Sequence, residues 1–344
     1  MNKYYDEIPY IRAIACIMVV LVHVSANSYS NSHFADFWSL YINQYSRLGT
    51  PVFAVISGFL LFHSVNGRSF RLSRFLKSRT AKIVLPFIIW SMVYLVIRAS
   101  YGEEVFTSMR QFLGHFVYGS AQYHLYFIVT VIQFYLIFPL LQIIKNRRII
   151  LWLFFVSIPM QYWWFQAATE VSLRSGIVDN IIHHHSFLLY WLSYFIFGGV
   201  LQFYYHEIKE WIAKYKYLVL SAFIITLVLI FREIEQGSLI ASSRAENMLY
   251  VPVFVLFLLM TFPYLSKYSS FAVIWRLVGS YSMGIYLVHP LIIFLLDKIN
   301  PLYPLLSYQI VLVFLLVLTL SILLIRCILF LPLSNYIIPV GRRK

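Results

Sequence analysis

Carboxylates are scarce in this sequence. Only 13 of its 344 residues are Asp or Glu, against 27 Lys and Arg, and charged residues make up 12% of the chain, about half the share of an ordinary soluble domain. That shortage excludes a soluble globular enzyme. Cysteine is almost missing as well. Cys16 and Cys327 both sit inside apolar runs, so there is no disulfide framework and no Cys/His spacing of a zinc site. Internal repeats, low-complexity tracts and an appended soluble domain are also lacking.

What the chain has instead is apolar length, with 61% of its residues hydrophobic. A bilayer core needs about 20 apolar residues per helix. Windows of that kind recur at about 8–26, 44–66, 79–98, 123–143, 148–165, 186–205, 216–232, 247–264, 278–297 and 306–328. They predict an all-α polytopic integral membrane protein of about ten transmembrane helices, in a single domain over residues 1–344. Ten crossings return both termini to one side, and with the N-terminus in the cytoplasm 20 of the 27 basic residues fall inside, as the positive-inside rule requires. The net charge of +14 is therefore an orientation signal, not a nucleic-acid footprint. Asp6 and Glu7 stand where a cleaved leader would be basic and Arg12 interrupts its apolar stretch, so residues 1–28 read as a retained first helix. The longest links, about 26–43, 99–122, 166–185 and 233–246, fall outside, and the basic link from Asn66 to Arg79 falls inside.

Titratable side chains within a span are costly and mark function by default. Apart from Asp297 at the very end of the ninth, no Asp or Glu lies in the ten windows, and away from the charged helix ends this leaves Arg12 and His23 in the first span, Arg47 and His63 near the ends of the second, His124 opening the fourth and His289 in the ninth. Arg12 and His23 are eleven residues apart, which returns to nearly the same helix face with about 16 Å of rise. Either they form a site, or Arg12 snorkels to the inner headgroups and His23 bonds a loop carbonyl. Ser57, Gly58 and Phe59 allow close packing of small residues or a channel wall. Ser282, Tyr286 and His289 share one face of the ninth span. Adjacent His183, His184 and His185 seldom converge on one ion without carboxylate help, so no metal site is expected. The Tyr and Trp content fits interfacial belts.

Five segments carry a resemblance in order along the whole chain. "YIRAIACIMVVLVHVSA" has the Arg, ten residues, His pattern that opens the membrane-bound acyltransferase-3 family. "RLGTPVFAVISGFLLF" resembles its second-helix signature, with Arg47, Pro51, Ser57, Gly58 and Phe59, and "FLKSRTAKIVLPFIIWS" is similar to its basic third-helix start, with Arg79, Lys82 and Pro86. "QYHLYFIVTVIQFYLIFPLL" and "SYSMGIYLVHPLI" resemble its later His-Leu-aromatic-Phe and Tyr-x-x-His-Pro segments. The match departs at Lys82, where the family usually has a second arginine, and in ending after the tenth span without the hydrolase-like extracytoplasmic domain some members append.

The resemblance implies a transmembrane O-acyltransferase of the bacterial plasma membrane that modifies cell-surface polysaccharide. It would move an acyl group, acetyl first and succinyl as the alternative, from cytoplasmic acyl-CoA to a hydroxyl of an extracytoplasmic carbohydrate. The competing reading is an exporter or flippase for a polysaccharide or glycolipid, although a transporter would be expected to show pseudo-symmetric halves. The catalytic candidates are His23, as the base that removes the acceptor proton, and Arg12. Arg79, Lys82 and Arg74 would bind the coenzyme phosphates, or would only obey topology and bind anionic membrane lipid. Arg47, Ser57, Gly58, His124, Tyr286 and His289 are candidates for the substrate channel, and spans one, two, three and nine are expected to line it. Ser25, Tyr286 or a backbone carbonyl could orient His23. Polysaccharide-synthesis proteins are the expected protein partners.

Overall fold

A computed structural model describes residues 5–30, 37–65, 70–144, 146–170, 177–235, 241–299 and 306–340. Lys3, Asp36, Arg68, Lys145, Arg174, Arg342, Arg343 and Lys344, which entered the charge count, lie outside them. The described chain is helical: α1 Glu7–Ser30, α2 Phe37–Ser46, α3 Gly49–Val65, α4 Leu72–Arg79, α5 Leu85–Ser100, α6 Met109–Tyr118, α7 Tyr126–Leu141 and α8 Arg147–Glu170. There follow α9 Ile177–His183, α10 Leu192–Phe203, α11 Tyr205–Lys214, α12 Lys216–Glu235, α13 Asn247–Leu265, α14 Ser269–Ile299, α15 Ser307–Leu329 and α16 Ser334–Ile337. Among the described residues nine segments are long and apolar enough to cross a membrane, and the protein is a multi-pass membrane protein.

The helices group into two compact units. The first comprises Met1–Ile56, Tyr205–Leu331 and Val340–Lys344, and the second Ser57–Tyr204 and Pro332–Pro339.

In the first unit α1 lies along α14. A Cβ on Gly279 would come 2.1 Å from the Pro9 carbonyl oxygen, so glycine is what lets the two helices approach there. Further along, Cys16 Sγ reaches Ser282 O at 3.8 Å, and the His23 and His289 rings meet. Residue numbers rise together on both helices, so α1 and α14 run parallel. Glu7, buried at the start of α1, pairs with Lys209 of α11 at 2.5 Å. Phe223 of α12 stacks on Phe257 of α13 at 3.8 Å.

In the second unit α8 runs antiparallel to α10. Gln161 bonds Tyr190 O and Ser193 N at one end, and Ile150 meets Gly199 at the other. Alongside, α7 bonds the stretch before α10 through Thr130 and Gln133 to Ser186 O, and Phe134 stacks on Phe195 at 4.1 Å. The 99–122 link holds α6, whose first turn is capped by Ser108 Oγ and whose end is Gly119 at φ +67°.

Four spans differ from the hydropathy reading, three of them for a backbone reason. The second span begins at Trp38 and breaks at Arg47–Leu48 between α2 and α3. Pro51 has no N–H for the carbonyl of residue 47, and Arg47 lies well inside the span instead of near its end. The third span passes through a π turn at Thr80–Val84, where Pro86 clashes with a regular helix over the preceding turn. The sixth, Asn180–Phe203, passes through a 3-10 turn at Leu188–Tyr190 where a full helix from 186 is expected. The fourth, α7, has only 16 residues, about 24 Å against a hydrocarbon core of roughly 30 Å. It is the one expected span that falls short of bilayer length. On the ten-crossing reading, parallel α1 and α14 require an odd number of crossings between them, and α7 would raise the count there from six to seven. In the second unit, α7 also runs parallel to α10 with the single crossing α8 between them.

Candidate functional site

The first unit brings two of the expected histidines together. His23 of α1 and His289 of α14 stack with ring centroids 5.2 Å apart and 29° between planes. His289 is fully buried, whereas His23 is partly exposed. His289 Nδ1 lies 2.9 Å from the Ile285 carbonyl oxygen. A carbonyl can only accept, so Nδ1 carries the hydrogen and Nε2 is the basic nitrogen of the neutral ring. Pro290, next in the chain, cannot use the Tyr286 carbonyl one turn back. Tyr286 lies beside the pair, its ring 6.2 Å from His289 and 6.4 Å from Phe53 of α3. Ser282, on the same helix face, is buried and donates to Gly279 O at 3.0 Å.

Near this pair is a polar node the sequence reading missed. Asn43 of α2, fully buried, donates from Nδ2 to Val22 O at 2.8 Å and to Ser25 Oγ at 3.0 Å, flanking His23 on α1. Its Oδ1 accepts from Gln44 Nε2 and from Arg47 Nε, both at 3.0 Å. Ser25 itself donates to Leu21 O at 2.6 Å. Arg47 thus joins the histidine region through an amide. The available signal is the i, i+4 spacing of Asn43 and Arg47, hidden because the apolar window of the second span opens only at residue 44. Arg12 sits lower on α1, and the helix is unbroken between it and His23, which preserves their eleven-residue spacing.

The expected coenzyme-binding cations lie in the second unit. Arg79, at the end of α4, has its guanidinium 5.4 Å from the Phe75 ring centre and 5.2 Å from that of Tyr135 on α7. Its Nε is buried and has no hydrogen-bond partner among the described residues. Two aromatic faces hold the cation in place and leave its N–H donors for a ligand. Lys82 is exposed in the π turn, and Arg74 is exposed on α4. These cations and the histidine pair belong to separate units.

Other expected residues fall elsewhere. His124 is buried in the second unit, with its ring 5.5 Å from Tyr94 and 5.7 Å from Tyr123. The second unit starts at Ser57, which is partly exposed on α3. A Cβ on Gly58 would come 2.0 Å from the Phe195 carbonyl oxygen, so that glycine serves a close crossing of α3 and α10. His184 Nδ1 accepts from Ser186 N at 3.2 Å and faces Ser186 Oγ at 2.8 Å.

A multi-pass helical membrane protein with paired intramembrane histidines and a basic, aromatic-lined turn is thereby defined. Residues 5–326 match the acyltransferase domain of the acyltransferase-3 family, and the chain belongs to that family. It is similar to the "probable poly-beta-1,6-N-acetyl-D-glucosamine export protein" of Staphylococcus aureus strain MSSA476, at 24% identity over 311 residues, covering 85% of this chain and 83% of the relative. The protein of the same name from Staphylococcus epidermidis is 25% identical over 309 residues, covering 85% and 82%. No solved structure matches the chain.

Proposed function

We propose that this protein is a transmembrane O-acyltransferase that takes an acyl group, acetyl in the first instance, from cytoplasmic acyl-CoA and places it on a hydroxyl of an extracytoplasmic carbohydrate. The observation that carries the reading is the His23–His289 pair inside a membrane-spanning bundle. An alcohol attacking a thioester needs a base for its proton, and a neutral imidazole is suited to that task. His23, the more accessible ring, takes the proton of the acceptor hydroxyl. The hydroxyl oxygen bonds to the acyl carbon, the carbon–sulfur bond breaks, and the thiolate leaves with the coenzyme. Arg79, Lys82 and Arg74 hold its phosphates. Arg79 suits this role because no described hydrogen bond occupies its Nε, and Lys82 supplies charge without a bidentate fork. Arg12, Ser57, His124 and Tyr286 are assigned to the acyl path, and Gly58 to the packing that shapes it.

The charge distribution supports cytoplasmic termini, with donor and acceptor on opposite faces. The test uses vesicles of known orientation, with labelled acetyl-CoA and an oligosaccharide each supplied to one chosen face. Product is expected only with donor on the cytoplasmic face and acceptor on the other. Undiminished yield with both on the cytoplasmic face overturns the sidedness. A second reading, export of a polysaccharide, is favoured by the names of the two relatives. Movement of labelled glycan across the vesicle without any acyl-CoA consumption would replace the acyltransferase reading with that one.

A further inference from the structure

We propose that α16 braces the π turn of the donor site, with Trp90 as the positioning residue that anchors it: the contact keeps Thr80–Val84 in its π form and so sets the direction of Lys82 relative to Arg79. The proposal rests on the acyltransferase reading above, which gives those two cations the coenzyme phosphates.

The chain leaves the first unit after Leu331, and Pro332–Pro339 belong to the second. Within that unit α16 lies against both α5 and the π turn. Trp90 of α5 is buried, and its Nε1–H donates to the Ile337 carbonyl oxygen at 3.1 Å. An indole has one hydrogen to give and accepts none, so a buried tryptophan depends on such a partner. Ser334 at the start of α16 and Ile338 just past its end are buried as well. Leu333, which leads into α16, sits at φ +61°, and among the described residues it is the one non-glycine in the left-handed region. A leucine there persists only where surrounding contacts hold it. The docking of α16 is therefore a built contact and not a loose end of chain.

The turn it braces has a regular alternative. A π turn closes its hydrogen bonds one residue later than an α turn and is rare, so rewinding Thr80–Val84 as α-helix would rotate every following residue about the axis. Arg79 would stay where Phe75 and Tyr135 hold its guanidinium. Lys82, exposed within the turn, would be aimed elsewhere. Two cations that meet one polyanion bind it best when their relative direction is set beforehand, because no ordering cost then falls on binding. α16, touching the turn from a neighbouring segment, is placed to set it.

The test measures acetyl-CoA binding and acetyl transfer in Trp90→Phe, in a chain ending at Leu331 and in a chain ending at Val340. Trp90→Phe removes the indole N–H and is expected to raise the KM and Kd for acetyl-CoA about fivefold, the worth of one hydrogen bond. Ending at Leu331 removes α16 and is expected to weaken binding about tenfold or more, as a charge-assisted contact to phosphate is lost. In both, kcat at saturating donor should change little. Ending at Val340 removes Arg342, Arg343 and Lys344 but keeps α16, and should bind as the full chain does. If that shorter cut reproduces the whole loss, tail charge serves the donor instead of α16, and the proposal is overturned. Independently of acetyl-CoA, hydrogen exchange of the Thr80–Val84 amides should quicken in Trp90→Phe and in the chain ending at Leu331. Unchanged exchange in Trp90→Phe refutes the brace, and that variant decides alone if the chain ending at Leu331 fails to fold. A full chain that binds no acetyl-CoA counts against the acyltransferase reading, while exchange still decides whether α16 holds the turn.

Discussion

Arg47 in the first unit and Arg79 in the second are both guanidinium groups within membrane-spanning segments, yet they are held by different means. Arg47 is gripped at Nε by the amide of Asn43, whereas Arg79 lies between the rings of Phe75 and Tyr135 with no described partner for its Nε. An amide clamp fixes direction, and an aromatic cradle fixes position while leaving the donors uncommitted. The second arrangement suits a group that must capture a mobile polyanion. On the proposed reading, the first unit carries the reaction and the second binds the donor.

That division breaks first at His23. His23→Ala should lower acyl transfer by about 10²-fold or more while leaving donor affinity near that of the wild type. Comparable losses in transfer rate and in acyl-CoA binding, measured side by side, would mean the units do not divide the work. The reciprocal experiment replaces Arg79 and Lys82 together by Gln. Hydrogen bonds to charged groups are worth about 1.5–3 kcal/mol, so acyl-CoA should bind at least about tenfold more weakly at low salt. Exposed Lys82 is screened by added salt and half-buried Arg79 less so, which predicts a defect that shrinks with ionic strength without vanishing. Equal affinity in titrations of the two proteins at low salt would remove the clamp.

Packing sharpens the comparison further. A methyl at Gly58 has nowhere to go, because the nearest atom is the Phe195 backbone oxygen at 2.0 Å. Gly58→Ala should destabilise the detergent-solubilised protein by about 1–3 kcal/mol, read as a lower melting temperature. Gly102 offers the contrast, with open space around its Cβ position. Its φ of +84° leaves only the backbone cost of about 1 kcal/mol for Gly102→Ala. A Gly58→Ala protein that melts no lower than Gly102→Ala would contradict the close crossing.

The smallest effect expected is a pH dependence in the second unit, outside the spans. His115 of α6 is held below its ordinary value of 6.5 by burial and then by the nearby Arg98 charge. Between the folded and unfolded values the unfolded chain binds more protons, so stability rises with pH across that window. The contribution is complete above about pH 6.5 and is lost as pH falls through the folded value. Melting curves from pH 7.5 to 5 should show this, and His115→Gln should flatten the slope. An unchanged slope in that variant would assign the dependence elsewhere.

Much of the architecture was legible because bilayer length and apolar composition are one-dimensional properties. The windows around α1, α8, α12, α13 and α15 needed no tertiary information. The boundaries that moved are those where backbone chemistry overrides hydropathy, at Pro51, Pro86 and the 3-10 turn before α10. The apolar composition of α7 reads as a span, and only the structure shows a helix of 16 residues there.

For the candidate site, sequence alone singled out His23 and His289, because an imidazole in an apolar span is conspicuous. It could not say that these two stack while His124 falls in the other unit, since depth along a helix does not fix which helices are neighbours. Asn43 escaped notice because a neutral amide near a helix end is ordinary until its partners are known. Its place in the polar node depends on the carbonyl of Val22, the hydroxyl of Ser25 and the Nε of Arg47 arriving at one side chain. The sequence by itself determined the membrane class, the number of apolar segments and the kinds of group available for chemistry, because each follows from local composition. The tertiary structure alone decided which of those groups meet, because hydrogen bonds between α1 and α2 and ring contacts between α1 and α14 join residues that helix periodicity cannot relate.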